Sequence, residues 1–434
     1  MKFYSLNYNS QSVSFDKAVI QGLAPDRGLY FPEDIPSLPQ SFFEEINTLS
    51  NYEIAYRAIQ PFVGKAIGKQ KLRTIVEDTL QFPFPVVPIT DQIATLELFQ
   101  GPTLAFKDVG ARFMARCLSS FNITSSKRKI TVLVATSGDT GGAVADGFYN
   151  VPGIDVVILY PKGKVSEIQE KQLTTLGKNI SALEVDGTFD DCQDMVKSAF
   201  IDPQIKDEIQ LTSANSINVA RWLPQMFYYF FVYKELKARQ QKIVVAVPSG
   251  NFGNICAGLL AQKMGLPIDQ FVACTNINDT VPVFLEEGIY TPKTSKQTIS
   301  NAMDVGDPSN FIRIEKLFNN DFHKMKKEFK AYRFNDTSTR KAIKEIYDTA
   351  NYVADPHGAV GYLGLKKFLN DFENEHFYGV FMETAHPIKF LDTVESTLKT
   401  KIELPDQIKN IINREKESYP VADYKEVKDF LLSR

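Results

Sequence analysis

Between residues 130 and 275 the apolar positions fall in short unbroken blocks, separated by turn-forming residues and by stretches of helical spacing. Ile130–Ala135 is a β-branched run that meets Ser137-Gly138-Asp139-Thr140-Gly141-Gly142, and helical spacing then continues to Phe148. Val156–Tyr160 reads as a second strand, followed by Pro161-Lys162-Gly163-Lys164 and an amphipathic helix. Ile180–Val185 leads into a helix near Phe189–Phe200. Ile243–Val247 passes through Ser249-Gly250-Asn251-Phe252-Gly253-Asn254 into a helix ending about Met264, and Phe271–Thr275 is one more strand. Doubly apolar strands alternating with helices predict an α/β protein, its parallel sheet covered on both faces.

Residues 1–85 mix helix and strand signals and read as a small N-terminal α+β domain. They end in Phe82-Pro83-Phe84-Pro85-Val86-Val87-Pro88, where prolines fix φ and remove donors, so the stretch is expected to break any element and mark a boundary. Residues 86–390 then form the α/β core in two subdomains, and 391–434 a C-terminal helical segment. Trp222–Tyr233, the richest apolar stretch, reads as a single buried helix. Asn310–Asn351 and Ile402–Arg434 show charged helical patterns without a motif and read as scaffold.

Composition narrows the function classes. With 434 residues, 44% apolar and 23% charged, the chain is an ordinary globular protein and not a disordered, collagenous or coiled-coil one. Its 49 basic and 52 acidic residues leave a net charge of −3, so no basic field draws in nucleic acid or acidic lipid. Small molecules are the expected partners. Met1-Lys2-Phe3-Tyr4-Ser5 runs into polar residues and is no signal peptide. No apolar run reaches the ~18 residues of a membrane span. The four cysteines are widely spaced and the four histidines scattered, so free thiols in a reducing cytosol are expected, with neither a disulfide frame nor a metal site. The expectation is a cytoplasmic monomer or homodimer.

Candidate chemistry begins with an echo. Ser137-Gly138-Asp139-Thr140-Gly141 and Ser249-Gly250-Asn251-Phe252-Gly253 both follow a strand and open a helix. Glycines let a ligand approach the backbone, and helix-start N–H groups favour anions such as phosphate or carboxylate. The plain alternative is a tight strand–helix turn with an N-cap. Neither turn is a dinucleotide fingerprint, and no P-loop occurs, which disfavours a nicotinamide dehydrogenase or a P-loop ATPase. Lys107 follows an apolar strand and a Gly101-Pro102 turn, among Leu104, Ala105 and Phe106, and opens a helical pattern. Desolvation at such a junction lowers an amine's pKa and makes it nucleophilic, as Schiff-base lysines require; the alternative is a solvated surface lysine. In Ser213–Arg221, Asn215 is a candidate helix cap, and Ser216 with Arg221 a candidate anion contact. In Glu383–Phe390, Thr384 or His386 is placed to face the same crevice, or simply to cap a helix.

Six segments together resemble one family. Gln21–Pro32, Gly101–Asp108, Ala135–Gly141, Ser213–Asn218, Pro248–Asn254 and Asn301–Val305, with Thr384-Ala385-His386-Pro387 after them, occur in the order and spacing of the threonine synthases of bacterial and fungal type. These are fold-type-II enzymes that use pyridoxal 5'-phosphate, with parallel and mixed sheets flanked by helices. The resemblance implies conversion of O-phospho-L-homoserine and water to L-threonine and phosphate. It makes Lys107 the lysine that carries the cofactor and shuttles protons. Gly250, Asn251, Phe252, Gly253 and Asn254 become the cradle for the cofactor phosphate, and Thr384 the partner of the pyridine nitrogen. Thr136, Ser137 and Thr140 would hold the substrate carboxylate, with Lys162, Asn215, Ser216 and Arg221 around the substrate phosphate. Asp139 departs from the many siblings that carry Asn beside the cofactor's phenolic oxygen, where an anion would compete with the phenolate unless one of them is protonated. A serine or threonine dehydratase of the same fold is the alternative; it would need Lys107 and the cradle but not the Asn215–Arg221 cluster.

Overall fold

The computed structural model describes residues 1–125, 129–136 and 138–434. Three sheets organise the chain. A six-stranded sheet runs in the order Phe329–Arg333, Gln270–Thr275, Lys242–Pro248, Phe377–Glu383, Ile93–Glu97 and Val86–Pro88; its first five strands are parallel and the last antiparallel. A five-stranded sheet is parallel throughout, in the order Tyr419–Val421, Ile180–Val185, Ile154–Pro161, Ile130–Ala135 and Gln210–Thr212. A small antiparallel sheet joins Val13–Ser14, Lys2–Ser5 and Tyr30–Pro32.

The unbroken apolar runs are explained by burial on both faces. Val245, Val247, Phe271, Ala273 and Val380 enter a large core shared with the N-terminal segment. Their neighbours Val244, Ala246, Val272 and Phe381 enter a separate cluster on the far side. The five-stranded sheet divides likewise, with Val132, Val134, Val156 and Ile158 in the shared core and Leu133, Val157, Leu159 and Val185 outside it. Both sheets thus pack inward on one core and aim the carboxyl ends of their strands at a common crevice, where ligands bind in such folds.

Several segments differ from the sequence expectation. Trp222–Tyr233 is buried but not one helix: a four-residue helix Val219–Trp222 passes through a 3-10 turn at Leu223–Met226 into the helix Phe227–Leu236. Pro224 lacks the N–H that a continuous α-helix needs there. The proline-rich stretch does not break every element, because Val86–Pro88 pairs antiparallel at a sheet edge, where proline is tolerated. Phe329–Arg333, inside a region of helical pattern, is an edge strand parallel to Gln270–Thr275; edge exposure gives it mixed polarity. The C-terminal segment is not purely helical either, since Tyr419–Val421 adds a strand beside Ile180–Val185. All four cysteines are buried free thiols. Among the described residues no helix is long and apolar enough to cross a membrane.

Candidate functional site

A cleft of about 2080 Å³ opens between the two large sheets. Lys107 lies on its wall as the first residue of the helix Lys107–Ser125. The approach to it is stitched to the segment after Phe377–Glu383. Phe106 N–H donates to the Thr384 carbonyl at 2.9 Å, His386 N–H donates to the Leu104 carbonyl at 3.0 Å, and Ala105 bridges to Ala385. Leu104 is held at a φ of 59°, a conformation that side-chain-bearing residues rarely adopt and that the surrounding hydrogen bonds must enforce. The Tyr228 hydroxyl fixes the Phe106 carbonyl at 2.5 Å. Lys107 and Thr384, 277 positions apart in sequence, thereby face one cleft. The half-buried Lys107 amine has no ion-pair partner among the described residues. Burial pushes its pKa down, the charge of Asp139 opposes that shift, and the cations of Lys389 and Arg221 reinforce it.

The turn at the end of Ile130–Ala135 forms a second wall. The Thr136 hydroxyl accepts from the N–H groups of Gly138 (3.0 Å) and Gly141 (2.9 Å) and sits 3.0 Å from the Gly138 carbonyl. It is therefore committed to shaping the turn, while half-buried Thr140 lines the cleft. Asp139 opens the helix Asp139–Phe148, and its Oδ1 accepts from Lys389 Nζ at 2.7 Å and from Gln169 Nε2 at 3.1 Å. Gln169 is itself fixed by a capping box with Ser166. Burial alone would raise the Asp139 pKa, but the charges of Lys389 and Lys107 hold it well below the usual carboxylate range. The Asp139 anion is thus already matched by a buried cation. Ser137 lies outside the described residues.

The third wall is the turn before the helix Gly253–Lys263. At Gly250 a Cβ would lie 2.8 Å from the Ala302 carbonyl oxygen and 2.9 Å from the Met303 Cα, so only glycine lets the 301–303 segment close over the turn. Phe252 takes a φ of 58° at the helix start. Asn251 accepts at Oδ1 from the Ser309 hydroxyl (2.9 Å). Asn254 accepts at Oδ1 from the Tyr229 hydroxyl (2.9 Å), and its amide nitrogen is buried with no partner among the described residues. Buried donors are almost always satisfied, so this nitrogen at a helix N-terminus marks a place for an anion.

Arg221 supplies a second such place. Its Nε and Nη1 are buried and unpartnered among the described residues, and no carboxylate pairs with it. Burial lowers its pKa to about 10, with Tyr228 and Asp108 opposing. The cap of the Val219–Trp222 turn is Asn218, whose Oδ1 accepts from Ala220 N–H at 3.0 Å; it is not Asn215, whose Oδ1 is buried and unpartnered. Ser216 sits against the other anion turn, its side chain 3.6 Å from where a Gly253 Cβ would be, and accepts from Asn310 Nδ2 at 3.3 Å.

The cleft therefore gathers Lys107, Thr136, Asp139, Thr140, Asn215, Ser216, Arg221, the 250–254 turn and Thr384. It does not gather Lys162, which is exposed with Nζ 3.9 Å from Glu184, whereas Lys164 does line the cleft. His386 stays out of the cleft lining as well: its Nδ1 accepts from Ile388 N–H at 3.1 Å and caps the turn at Pro387–Phe390. Other residues emerge only in three dimensions. His357 lines the cleft, with Nδ1 2.6 Å from Asp355 and Nε2 accepting from Ala302 N–H at 3.2 Å, so it braces the segment that closes over Gly250. Buried Arg313, with no carboxylate partner among the described residues, donates to the carbonyls of Tyr30 (2.9 Å) and Ile217 (2.7 Å) and to Asn310 Oδ1 (2.7 Å). Asp355-Pro356-His357-Gly358 carries a helix-start signal in sequence, but nothing local in Lys389, Tyr229 or Arg313 announces a role.

Comparison with known proteins agrees in every part of the chain. A family model described as "Threonine synthase N terminus" matches residues 2–80, "Pyridoxal-phosphate dependent enzyme" matches 91–377, and "Threonine synthase, C-terminal" matches 358–431. The threonine synthase of Buchnera aphidicola is 43% identical over 440 aligned residues, covering 100% of both chains. The crystal structure of threonine synthase from Escherichia coli superposes with a TM-score of 0.92 at 41% identity, covering 100% of both chains. The pyridoxal-phosphate-bound threonine synthase from Brucella melitensis gives a TM-score of 0.94 at 32% identity, covering 100% of this chain and 99% of that one.

Proposed function

The chain belongs to the threonine synthase family of pyridoxal-phosphate-dependent enzymes, and from that premise we propose how its own residues convert O-phospho-L-homoserine and water to L-threonine and phosphate. The residues fit the cofactor. A desolvated amine at Lys107 suits a covalent link to its aldehyde, and the unpartnered Asn254 amide in the glycine turn suits its phosphate. The Thr384 side chain suits its ring nitrogen as a neutral partner. When bound, pyridoxal phosphate supplies the electron sink that makes loss of a substrate α-proton possible.

The protein's share of the work is positioning and proton transfer. Lys107, its hold on a proton weakened by burial and by the flanking cations Lys389 and Arg221, takes the proton from the substrate α-carbon and returns one to that carbon after water has added at the β-carbon. The backbone of the Gly138–Gly141 turn and Thr140 hold the substrate carboxylate. Arg221 and Asn215 receive the γ-phosphate, and the uncompensated guanidinium stabilises charge on it as the carbon–oxygen bond breaks. One observation carries this reading: a single cleft holds a desolvated lysine between two buried donor sets that lack partners, at Asn254 and at Arg221. Two anion sites suit a phosphorylated substrate beside a phosphorylated cofactor, whereas a dehydratase would leave the Arg221 site without a use. The test is to supply the cofactor-loaded protein with O-phospho-L-homoserine and measure phosphate and threonine together. Equal amounts of both are expected, and phosphate without threonine would overturn the proposal.

A further inference from the structure

Lys389 is an unusual residue on physical grounds. Its side chain is 0% exposed, and its one ion-pair partner among the described residues is Asp139 Oδ1 at 2.7 Å. An ammonium with a single anionic partner is costly to bury, so its retention beside the cleft calls for a reason. Two lysines share the surroundings of one carboxylate here, because Asp139 and Lys107 line the same cleft and Asp139 acts on the Lys107 charge, but among the described residues Asp139 forms its ion pair only with Lys389.

We propose that Lys389 is a positioning residue for Lys107: by saturating Asp139 it denies Lys107 a counter-ion, and so leaves the Lys107 amine free to accept a proton. Without Lys389 the Asp139 carboxylate would turn to Lys107 and hold it as a charged, unreactive pair. A nearby cation is one of the general ways to activate a lysine nucleophile, alongside desolvation. The other charged groups around Lys107 act consistently with this. Arg221, from the Val219–Trp222 turn, adds positive charge, and Asp108, on its own helix, is tied to Thr103 by hydrogen bonds and raised to about 7 by burial. Lys389 itself faces Asp139 and neighbours His386, whose ring burial holds neutral, with a pKa of about 4. Gln169 completes the arrangement by donating its amide to the same Asp139 oxygen.

The inference rests on the role proposed for Lys107, and the two can fail separately. Reduction of the cofactor-loaded protein with borohydride, followed by peptide mapping, asks whether Lys107 carries the cofactor. The pH midpoint of Lys107 acylation by acetic anhydride in the cofactor-free full chain, read by mass spectrometry, asks whether Lys389 sets its protonation. In Lys389→Gln and Lys389→Met the midpoint is expected to rise by about one pH unit or more, leaving about tenfold less neutral amine near neutrality. Lys389→Arg should keep the wild-type midpoint. The double variant Asp139→Asn with Lys389→Gln should bring it back down, which a merely structural role for Lys389 would not do. Either neutral variant, if folded, decides the matter: an unchanged midpoint overturns the proposal.

Discussion

The Tyr229 hydroxyl lies 2.9 Å from Oδ1 of Asn254 and 3.0 Å from its carbonyl oxygen, so the phenol fixes which way the Asn254 amide faces. Oxygen turned to Tyr229 means nitrogen turned to the glycine turn, where it stands without a partner among the described residues. Tyr229→Phe removes that constraint while keeping the ring that packs on Phe271. Loss of one buried hydrogen bond costs about 1–2 kcal/mol, so the Kd for pyridoxal phosphate should rise about five- to thirtyfold. Titration of the cofactor-free protein measures it, and an unchanged Kd would mean that the amide is held some other way.

Lys107→Ala should abolish turnover and leave the cofactor bound only through its non-covalent contacts. Phosphate release is the assay. Near-normal release would remove Lys107 from the mechanism.

Arg221→Gln should act in opposite directions on activity and on stability. A charged hydrogen bond is worth about 1.5–3 kcal/mol, so kcat/KM for the phosphorylated substrate should fall at least about tenfold. The same change removes a buried charge without a counter-ion, so the ligand-free protein should melt at a higher temperature than wild type. A drop in both activity and melting temperature would show that Arg221 is structural.

Gly250→Ala places a methyl group 2.8 Å from the Ala302 carbonyl oxygen, in contact with backbone that cannot swing away. The expected result is a folded protein that binds pyridoxal phosphate poorly, because the 301–303 segment is pushed off the turn. Circular dichroism and cofactor titration together check it; normal cofactor affinity would show that the segment gives way freely.

His386 sets part of the acid limb of stability. Burial, helped by the Lys389 charge, lowers its pKa to about 4, against about 6.5 in an unfolded chain. Below about 6.5 the unfolded chain takes up a proton that the folded one refuses, so this contribution is complete above that pH and is lost as the pH falls through about 4. His386→Asn keeps an acceptor for the Ile388 N–H and removes the titration. Urea midpoints across that window should fall more steeply for wild type than for the variant, and parallel curves would contradict the assignment.

Much of the site was legible because it is written in local runs. The strand that ends at Ala135 and the one that ends near Val247 announce themselves by apolar blocks, and the turns after them by glycine and small polar residues. Lys107 stood out for the same reason, at a junction between strand and helix. What escaped is held by partners remote in sequence: Lys389 meets Asp139 across 250 positions, and Arg313 meets Tyr30 across 283. Lys162 shows the converse error. The family resemblance places it around the substrate phosphate, but two residues further on the chain has turned, and Lys164 lines the cleft instead. Asn215 was a candidate cap as long as the helix start was open; the helix begins at Val219, so the cap falls to Asn218 just before it.

Arg313 gives the site a place in the order of assembly. Its guanidinium gathers the carbonyl of Tyr30, the carbonyl of Ile217 and the side chain of Asn310, and Asn310 in turn donates its N–H to the Asn251 carbonyl at 3.2 Å. The 250–254 turn is thereby braced only when three stretches of chain, the first of them near the N-terminus, have met at one buried cation. The bracing of that turn therefore waits on the second half of the chain, because a growing chain shorter than about 313 residues lacks the cation that ties these stretches together.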